Sequence, residues 1–321
     1  MNERLRLNRR SLLKNQMKFG VIMMYDAEKL QGGYPMERNY TLAGIRFRIR
    51  CPEEWMYREE GVLAAYGSDD IEPDHTLNFS VVEELSAPEG ECVHTQSDIC
   101  VYRVGSSQIR YVGTGGDDLS CMYMRIYRTG NRSEVQVKRK SILGHITSKV
   151  VLNALEAEHH IVMRGGFLLH ASYICYNGRA ILFTAPSGTG KSTQAELWCQ
   201  MKGARLLNGD RAAVMREDTG VVVRGIPFAG SSGVFENESY PLAAIVYLSQ
   251  APETQIVRLS GVQAFRRVWE GCSVNTWNSK DVTACSETVL NVVQEIPVFH
   301  LACTPDETAV EALNKELIIR G

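Results

Sequence analysis

The sequence predicts an α/β chain in which a phosphate-loop domain with a mixed sheet follows a β-rich region. Three observations predict this. Residues 180–193 read as a strand, a glycine loop and a helix start. Hairpin signals flank that stretch on both sides, which a purely parallel sheet would lack. Residues 19–140 alternate apolar and polar side chains between closely spaced turns.

The first observation carries the chemistry. An apolar run, Ile181–Phe183, stops at Ala185-Pro-Ser-Gly-Thr-Gly-Lys-Ser-Thr193, and a helix-like segment runs from Gln194 to Met201. This is the order of a phosphate-binding loop. Gly188 and Gly190 allow backbone conformations that side chains disfavour, so loop N–H groups can turn inward around a polyphosphate. The helix start adds its positive dipole end. Ser187, Gly188, Thr189, Gly190, Lys191, Ser192 and Thr193 are the candidate nucleotide-binding residues. Lys191 would reach the outer phosphates and Ser192 would hold Mg²⁺. The pattern GxxxxGK[ST] asks for glycine at Ala185, and alanine is the smallest departure from it. The competing reading is a Gly/Ser turn between a core strand and a helix. The flanking strand and helix favour the phosphate loop, and with it a nucleoside triphosphate and Mg²⁺.

Composition sets the frame. A chain of 321 residues has room for about two domains. Hydrophobic content of 44% and charged content of 22% are those of a globular protein. A net charge of −2 offers no basic field for nucleic acid. The longest apolar runs, such as Ala243–Leu248, fall far below a membrane span. The nine cysteines are scattered and form no CxxC pair, against a zinc site or a secreted disulfide framework. A reducing cytoplasm is expected.

In chain order, residues 1–18 carry Arg4, Arg6, Arg9, Arg10, Lys14 and Lys18 against Glu3, and are expected to be a flexible basic tail. They read as an arm for an acidic partner, as a frayed end, or as a stretch upstream of a true start at Met17. Residues 19–140 are expected to form a β-rich accessory domain, a small sheet or partial barrel. Its strands are predicted at 40–50, 75–83, 99–103, 108–113, 122–128 and 134–138. Arg46, Arg48 and Arg50 read as a solvated strand face, with a substrate face as the alternative. Asp117-Asp118 reads as a solvated turn, with a metal site as the alternative. Ile146, Val150, Leu152, Leu155, His159 and Val162 follow helical spacing, so residues 141–164 are expected to be a connecting helix. His159-His160 reads as a capping or surface pair at its end, with a metal role as the alternative.

Residues 165–321 are expected to form the ATP-binding domain. A buried strand at 166–176 meets a strand at 179–184 through Asn177-Gly178, a strong hairpin signal. Strands follow at 204–216 and 221–224, then a Gly/Ser-rich loop, Gly225–Gly233. Further strands are predicted at 242–249, 255–259 and 298–302, and helices at 262–270, 280–295 and 305–319, the last capped by Thr304. Trp198 is expected to pack the phosphate-loop helix on the sheet.

The stretch from His170 through the phosphate loop to Arg205-Leu-Leu-Asn-Gly-Asp210 resembles the HPr serine kinase/phosphorylase family. The nucleotide domain of that family is related to phosphoenolpyruvate carboxykinase. His170 stands twenty-one positions before Lys191, at the family's spacing. The resemblance covers about residues 165–235 and implies an HPr kinase C-terminal-like P-loop domain with a mixed sheet. It also implies that His170 lies beside the transferred phosphate and that Asp210 serves as base or metal contact. The sequence departs in three places: Gly209 occupies the family's first acidic position, Ala185 replaces the first loop glycine, and the C-terminal phosphorolysis signature has no match. The motifs 184–198, Asn208-Gly-Asp-Arg211 and Gly225–Gly233 are more similar to HPr kinase-like proteins of modified-peptide and lasso-peptide clusters, which phosphorylate a serine of the precursor.

The implied activity is transfer of the γ-phosphate of ATP, with Mg²⁺, to a serine hydroxyl of a peptide or small protein. Lys191, Asp210, His170 and Arg211 are the candidate catalytic residues, and Ser192 and Asp210 the candidate Mg²⁺ contacts. Each has a plainer alternative: Asp210 as a turn-capping residue, His170 as a satisfied core histidine, Arg211 as a surface ion-pair partner. Ser231 and Ser232 read as acceptor-site residues or as an ordinary turn. A small-molecule kinase and a nucleotide-sensing module without transfer are the other functional readings. No nucleic-acid or membrane partner is expected, and a homo-oligomer is left open.

Overall fold

The computed structural model describes residues 36–51, 60–69, 72–96, 98–114, 119–141 and 148–318. The basic tail and Asp117-Asp118 lie outside the described residues.

The first part of the chain builds one sheet. Its strands are β1 (Met36–Leu42), β2 (Ile45–Cys51), β3 (His75–Val82), β4 (Glu91–Gln96), β5 (Ile99–Val104), β6 (Ser107–Gly113), β7 (Met122–Thr129) and β8 (Arg132–Lys138), with a short helix α1 (Glu60–Leu63) after β2. The spatial order is β1-β2-β3-β8-β7-β6-β5-β4. Two neighbouring pairings, β2–β3 and β3–β8, are parallel. Sequence periodicity predicts a single strand over 40–50, but the chain turns there. Ala43 and Gly44 take φ of 51° and 81°, and β1 pairs with β2 as a tight hairpin. Two consecutive left-handed residues are what such a turn requires. The alternation survives because Ile45, Phe47, Ile49 and Cys51 all face the core.

Arg46, Arg48 and Arg50 lie on the other face. Arg46 makes a bidentate pair with Asp74, Arg48 bonds Asn39, and Arg50 bonds Glu37. That face is ion-paired within the sheet. The Arg46 hydrogen bonds hold the Asp74 carboxyl well below the usual carboxylate range.

The helical stretch before the second sheet contains α2 (Ser148–Ala154) and α3 (Ala157–Met163), separated at Glu156, which takes φ of 46°. The second part contains β9 (Gly166–Tyr176), β10 (Arg179–Thr184), α4 (Lys191–Lys202), β11 (Arg205–Asn208), β12 (Arg211–Glu217), β13 (Gly220–Arg224), β14 (Ser239–Gln250), β15 (Gln255–Leu259), α5 (Gly261–Trp269), β16 (Cys272–Ser273), α6 (Ser279–Glu295), β17 (Val298–Cys303) and α7 (Glu307–Ile318). The cap of α7 is Asp306 rather than Thr304: its Oδ1 accepts from the Thr308 N–H at 2.9 Å. The fold is mixed α/β, and both sheets are mixed.

Two long strands organise the second sheet. Residues 166–170 of β9 pair with β12, and residues 171–176 pair with β10. Residues 239–241 of β14 pair with β13, and residues 242–247 pair with β10, the latter in parallel. The strands β10, β9, β12, β13 and β14 therefore close a circuit of hydrogen bonds. The sequence predicts one strand over 204–216, yet it breaks into β11 and β12 at Gly209-Asp210. Both halves lie antiparallel to β9, one on each side of the His170–Ala171 position.

The cores follow from this topology. Leu168, Ala213, Met215 and Ile226 of the second sheet share one apolar cluster with Phe47, Leu77, Ile126 and Val135 of the first. Trp198 is fully buried between α4 and the sheet, edge-on to Tyr176. All nine cysteines are free thiols.

Candidate active site at the break in β9

The partners of β9 change at one point along the strand. On one edge β10 ends at Thr184, opposite Ala171. The edge resumes at Gly271, whose carbonyl accepts the His170 N–H at 2.8 Å. On the other edge β11 ends at Asn208 and β12 starts at Arg211, opposite His170. Two chain breaks thus face each other across His170–Ala171. The glycine loop leaves from one and Asp210 sits on the other.

The glycine loop runs from Thr184 to the start of α4. Gly188 and Gly190 take φ of 78° and 118°. A side chain at either would meet nothing within 4 Å, so backbone conformation, not space, calls for glycine there. Lys191 is buried, and its Nζ donates to the carbonyls of Ala185 at 3.1 Å and Pro186 at 3.4 Å. The loop is wrapped around its own ammonium group. Burial lowers the Lys191 pKa, and the nearby Asp210 charge works against that shift. Ser187, Gly188, Ser192 and Thr193 are exposed at the mouth, with Thr189 and Gly190 half-buried.

Asn208, fully buried, builds the opposite side. Its Oδ1 accepts from the N–H groups of Asp210 and Arg211 at 2.9 and 3.0 Å, and its Nδ2 donates to the Ile226 carbonyl at 2.9 Å. One side chain therefore shapes the turn that presents Asp210 and ties it to the Gly225–Gly233 loop. That loop is seated tightly. A Cβ at Gly209 would lie 2.3 Å from Ser232 Oγ, and one at Gly230 would lie 2.7 Å from the Asp210 side chain. The Ser232 hydroxyl is used within its own loop, donating to Ala229 O and accepting from Val234 N.

These elements bring the candidate side chains together. His170 Nε2 lies 3.6 Å from Asp210 Oδ1, beyond a normal hydrogen bond. Arg211 Nε lies 3.4 Å from Asp210 Oδ2, while its Nη1 donates to Ser273 Oγ at 2.6 Å. Thr184 Oγ1 donates to the His170 carbonyl at 3.0 Å, joining the end of β10 to that residue. His170, Asp210 and Arg211 are each about one-third exposed. Burial lowers the His170 pKa, and Lys191 and Arg211 lower it further against the pull of Asp210. The lowered pKa favours the neutral imidazole, which can donate or accept a hydrogen bond.

Among the described residues no cluster of three or more His, Cys, Asp or Glu side chains could hold a metal ion by itself. The donor set on offer is one carboxylate, Asp210, and one helix-start hydroxyl, Ser192. This set suits Mg²⁺, which typically takes one or two carboxylates plus substrate phosphates.

Lys191, His170, Asp210 and Arg211 converge. His159-His160, expected at a surface or cap, does not join them. His160 is half-buried with its Nε2 enclosed, and His159 bonds Asp281, because Glu156 turns the chain into the interface between the sheets. Sequence reasoning missed Asn208 as a site residue, although Asn-Gly is a turn signal. It also missed Ser273, which sits in a two-residue strand with no periodicity to reveal it.

The chain belongs to the family described as SynChlorMet cassette protein ScmC, whose model matches residues 149–317, more than half of the chain. No curated protein matches the chain. Among solved structures it is similar to the HPr(Ser) kinase/phosphatase from Coxiella burnetii, at 12% identity over 48% of this chain and 99% of that one, with a TM-score of 0.28.

Proposed function

We propose that this chain is an ATP-dependent kinase of the HPr kinase type that transfers the γ-phosphate to a serine hydroxyl of a peptide or small protein. The observation that carries the reading is the convergence of Lys191, His170, Asp210 and Arg211 on one break in β9, with the glycine loop opposite the Asn208–Arg211 turn. Phosphoryl transfer asks for charge neutralisation and in-line placement. The loop N–H groups and the α4 dipole neutralise the β- and γ-phosphates. When phosphate enters, the Lys191 ammonium exchanges the Ala185 and Pro186 carbonyls for phosphate oxygens. Ser192 and Asp210 would hold Mg²⁺, which would supply Lewis-acid charge stabilisation when bound.

Alternatively, Asp210 takes the proton from the acceptor hydroxyl. The acceptor oxygen then bonds to the γ-phosphorus, and the β–γ bridging P–O bond breaks with its electron pair leaving on ADP. Arg211, held off by Ser273, faces the charge that develops on the transferred group. His170 hydrogen-bonds that group. Residues 165–321 would form the kinase domain and residues 19–140 an accessory domain. The reading includes a cytoplasmic setting and no nucleic-acid or membrane partner.

One observation favours a second reading, a nucleotide-sensing module without transfer. The site holds a single carboxylate, and Ser232 fills the space beside Gly209 that another acid would need.

Phosphate transfer from MgATP to short serine-containing peptides, including any encoded beside the gene, decides between them. Asp210→Asn is expected to lower transfer by roughly 10²–10⁴-fold, as for loss of a general base, with nucleotide still bound. Lys191→Ala is expected to lose both binding and transfer. Binding that survives Asp210→Asn, with no transfer by the wild type to any acceptor, would favour the sensor. Absence of nucleotide binding by the wild type would sink both.

A further inference from the structure

One short segment reaches from the break in β9 to the first sheet. It is residues 271–277, between α5 and α6. At its start the Gly271 carbonyl accepts the His170 N–H at 2.8 Å. Cys272 and Ser273 form β16, opposite Leu169 and Leu168 of β9. The Ser273 hydroxyl accepts from Arg211 Nη1 at 2.6 Å. Two of the candidate catalytic residues are therefore hydrogen-bonded to this segment, His170 through its main chain and Arg211 through its guanidinium.

The far end is held by the first sheet. Asn275 is buried; its Oδ1 accepts from Arg110 Nη2 of β6 and its Nδ2 donates to Asp281 of α6, both at 2.9 Å. Trp277 Nε1 donates to Gln108 Oε1 of β6 at 3.2 Å. The Arg110 guanidinium lies over the Trp277 ring, 5.3 Å from its centroid, and the His94 ring of β4 lies against it at 4.3 Å. Residues 274–278 belong to no helix or strand, and β16 is two residues long. Side-chain anchors, rather than a ladder of main-chain bonds, therefore decide where the segment runs. A strand rises about 3.3 Å per residue, so a shift at Asn275 is felt two residues away at Ser273. Arg211 is shared there: Nη1 goes to Ser273, while Nε stands 3.4 Å from Asp210 Oδ2. With Ser273 withdrawn, the guanidinium fork is free to close on the Asp210 carboxylate as a two-bond pair, the strong geometry for these groups. Asp210 would then be occupied when the acceptor or Mg²⁺ needs it.

We infer that Asn275 and Trp277 are positioning residues, and that through residues 271–277 the first sheet sets where His170 and Arg211 stand in the site. The effect on turnover rests on the phosphoryl-transfer reading; the mechanical tie between the sheet and the site does not. The first sheet is then part of the support of the site, although none of its own side chains enters it.

Two measurements on the full chain test it. Amide hydrogen exchange reads the tie. Trp277→Ala is expected to speed exchange of the His170 amide about tenfold, while the amides of β10 stay within about twofold of wild type. Trp277→Phe keeps a ring against His94 and Arg110 and is expected to restore the His170 protection. An unchanged His170 amide, or the same acceleration in β10, would overturn the inference, the second because it reports general loosening. ADP formation from MgATP, with the serine-containing peptides of the transfer assay present, reads the consequence. Trp277→Ala is expected to lower kcat about tenfold with MgATP affinity within about twofold, because the glycine loop is untouched. Combined with Ser273→Ala it should lower kcat no further than Trp277→Ala alone, since both act on Arg211. Losses that multiply, or an MgATP affinity that falls as far as kcat, would overturn the positioning role. If wild type binds MgATP and forms no ADP, the transfer reading fails and hydrogen exchange decides the tie by itself.

Discussion

Two regions of this molecule gather ionisable side chains, and they do so in opposite ways. At the junction between the sheets, Glu156 is 1% exposed and receives Arg110 at 3.3 Å, Arg128 at 3.0 Å and the Gln108 amide at 2.9 Å. Arg110 also bonds Glu158 and Asn275 and lies over the Trp277 ring. Asp281, fully buried, accepts from His159 Nδ1 and from Asn275 Nδ2, both at 2.9 Å. At the break in β9, by contrast, His170 and Asp210 stand 3.6 Å apart and partly exposed, and Lys191 bonds only its own loop. The junction has spent most of its hydrogen-bonding capacity on itself, with Arg110 Nε and His160 Nε2 left unpartnered. The β9 site keeps capacity free for a ligand. Charge clustering alone therefore does not mark function; unspent charge in an open site does.

The pKa shifts separate the same two regions. Burial would raise the Glu156 carboxyl, but Arg110 and Arg128 outweigh it and hold it at about 2. Burial pushes His75 down to about 4 and His160 well below its usual value. In the junction, charged partners set the state of Glu156 and burial sets those of His75 and His160. In the site, the His170 and Lys191 shifts come from burial and from one another's neighbours, and an incoming phosphate would change both.

Four experiments break or sharpen this contrast. Glu156→Ala leaves Arg110 and Arg128 without their shared acceptor and should cost about 3–5 kcal/mol of stability, as for breaking a buried ion pair. Denaturant unfolding reads it, and an unchanged midpoint would mean the junction charges are not mutually dependent.

Acid sensitivity comes next. The folded His75 and His160 resist protonation, while the unfolded chain takes up protons near pH 6.5. Stability should therefore be full above pH 6.5. It should fall below that by about 1.4 kcal/mol per pH unit for each histidine, until the folded pKa is reached. Unfolding midpoints from pH 7.5 to 4.5 should steepen accordingly, and His75→Gln should flatten the slope. A slope that His75→Gln leaves intact would remove His75 from the account.

Asn208→Ala should cost about 1–3 kcal/mol, because one buried and two part-buried main-chain groups lose their partner. It should also lower turnover more than it weakens nucleotide binding, since the glycine loop is untouched. Equal losses in both would argue that Asn208 only stabilises the fold. The smallest effect belongs to Ser273→Ala. It frees Arg211 Nη1 and should alter turnover severalfold at most, with the thermal midpoint nearly unchanged. A loss as large as that of Arg211→Ala would place Ser273 in the site on its own account.

Much of the site was legible because it is local. The glycine loop, Lys191 and the helix start occupy consecutive positions, and their chemistry follows from spacing. Asp210, Arg211 and His170 stood out only through the resemblance of their segments to the HPr kinase family. Asn208 was less legible. An asparagine after an apolar run reads as a turn. Only burial shows that it grips two loops. Ser273 carried no signal, because its role arises from a pairing across a hundred residues of chain to Leu168.

The fold divides along the same line. Periodicity found β3, β5, β6, β7, β8, β9 and β10 within a residue or two. It missed the Ala43-Gly44 turn, because a hairpin of that register keeps the apolar alternation in phase. It missed the break at Gly209-Asp210 because apolar residues continue on both sides.

By itself, then, the amino-acid sequence determined the glycine loop, the strand–loop–helix around it and the mixed character of the second sheet. These depend on backbone conformation and on residues within a few positions of one another. Only the tertiary structure decided that β9 and β14 change partners midway. It alone opposed Asp210 to the loop across His170, and turned His159 and His160 into the interface between the sheets. Those outcomes are set by which strand edges remain unpaired and which side chains must leave water together, and both are properties of the whole chain.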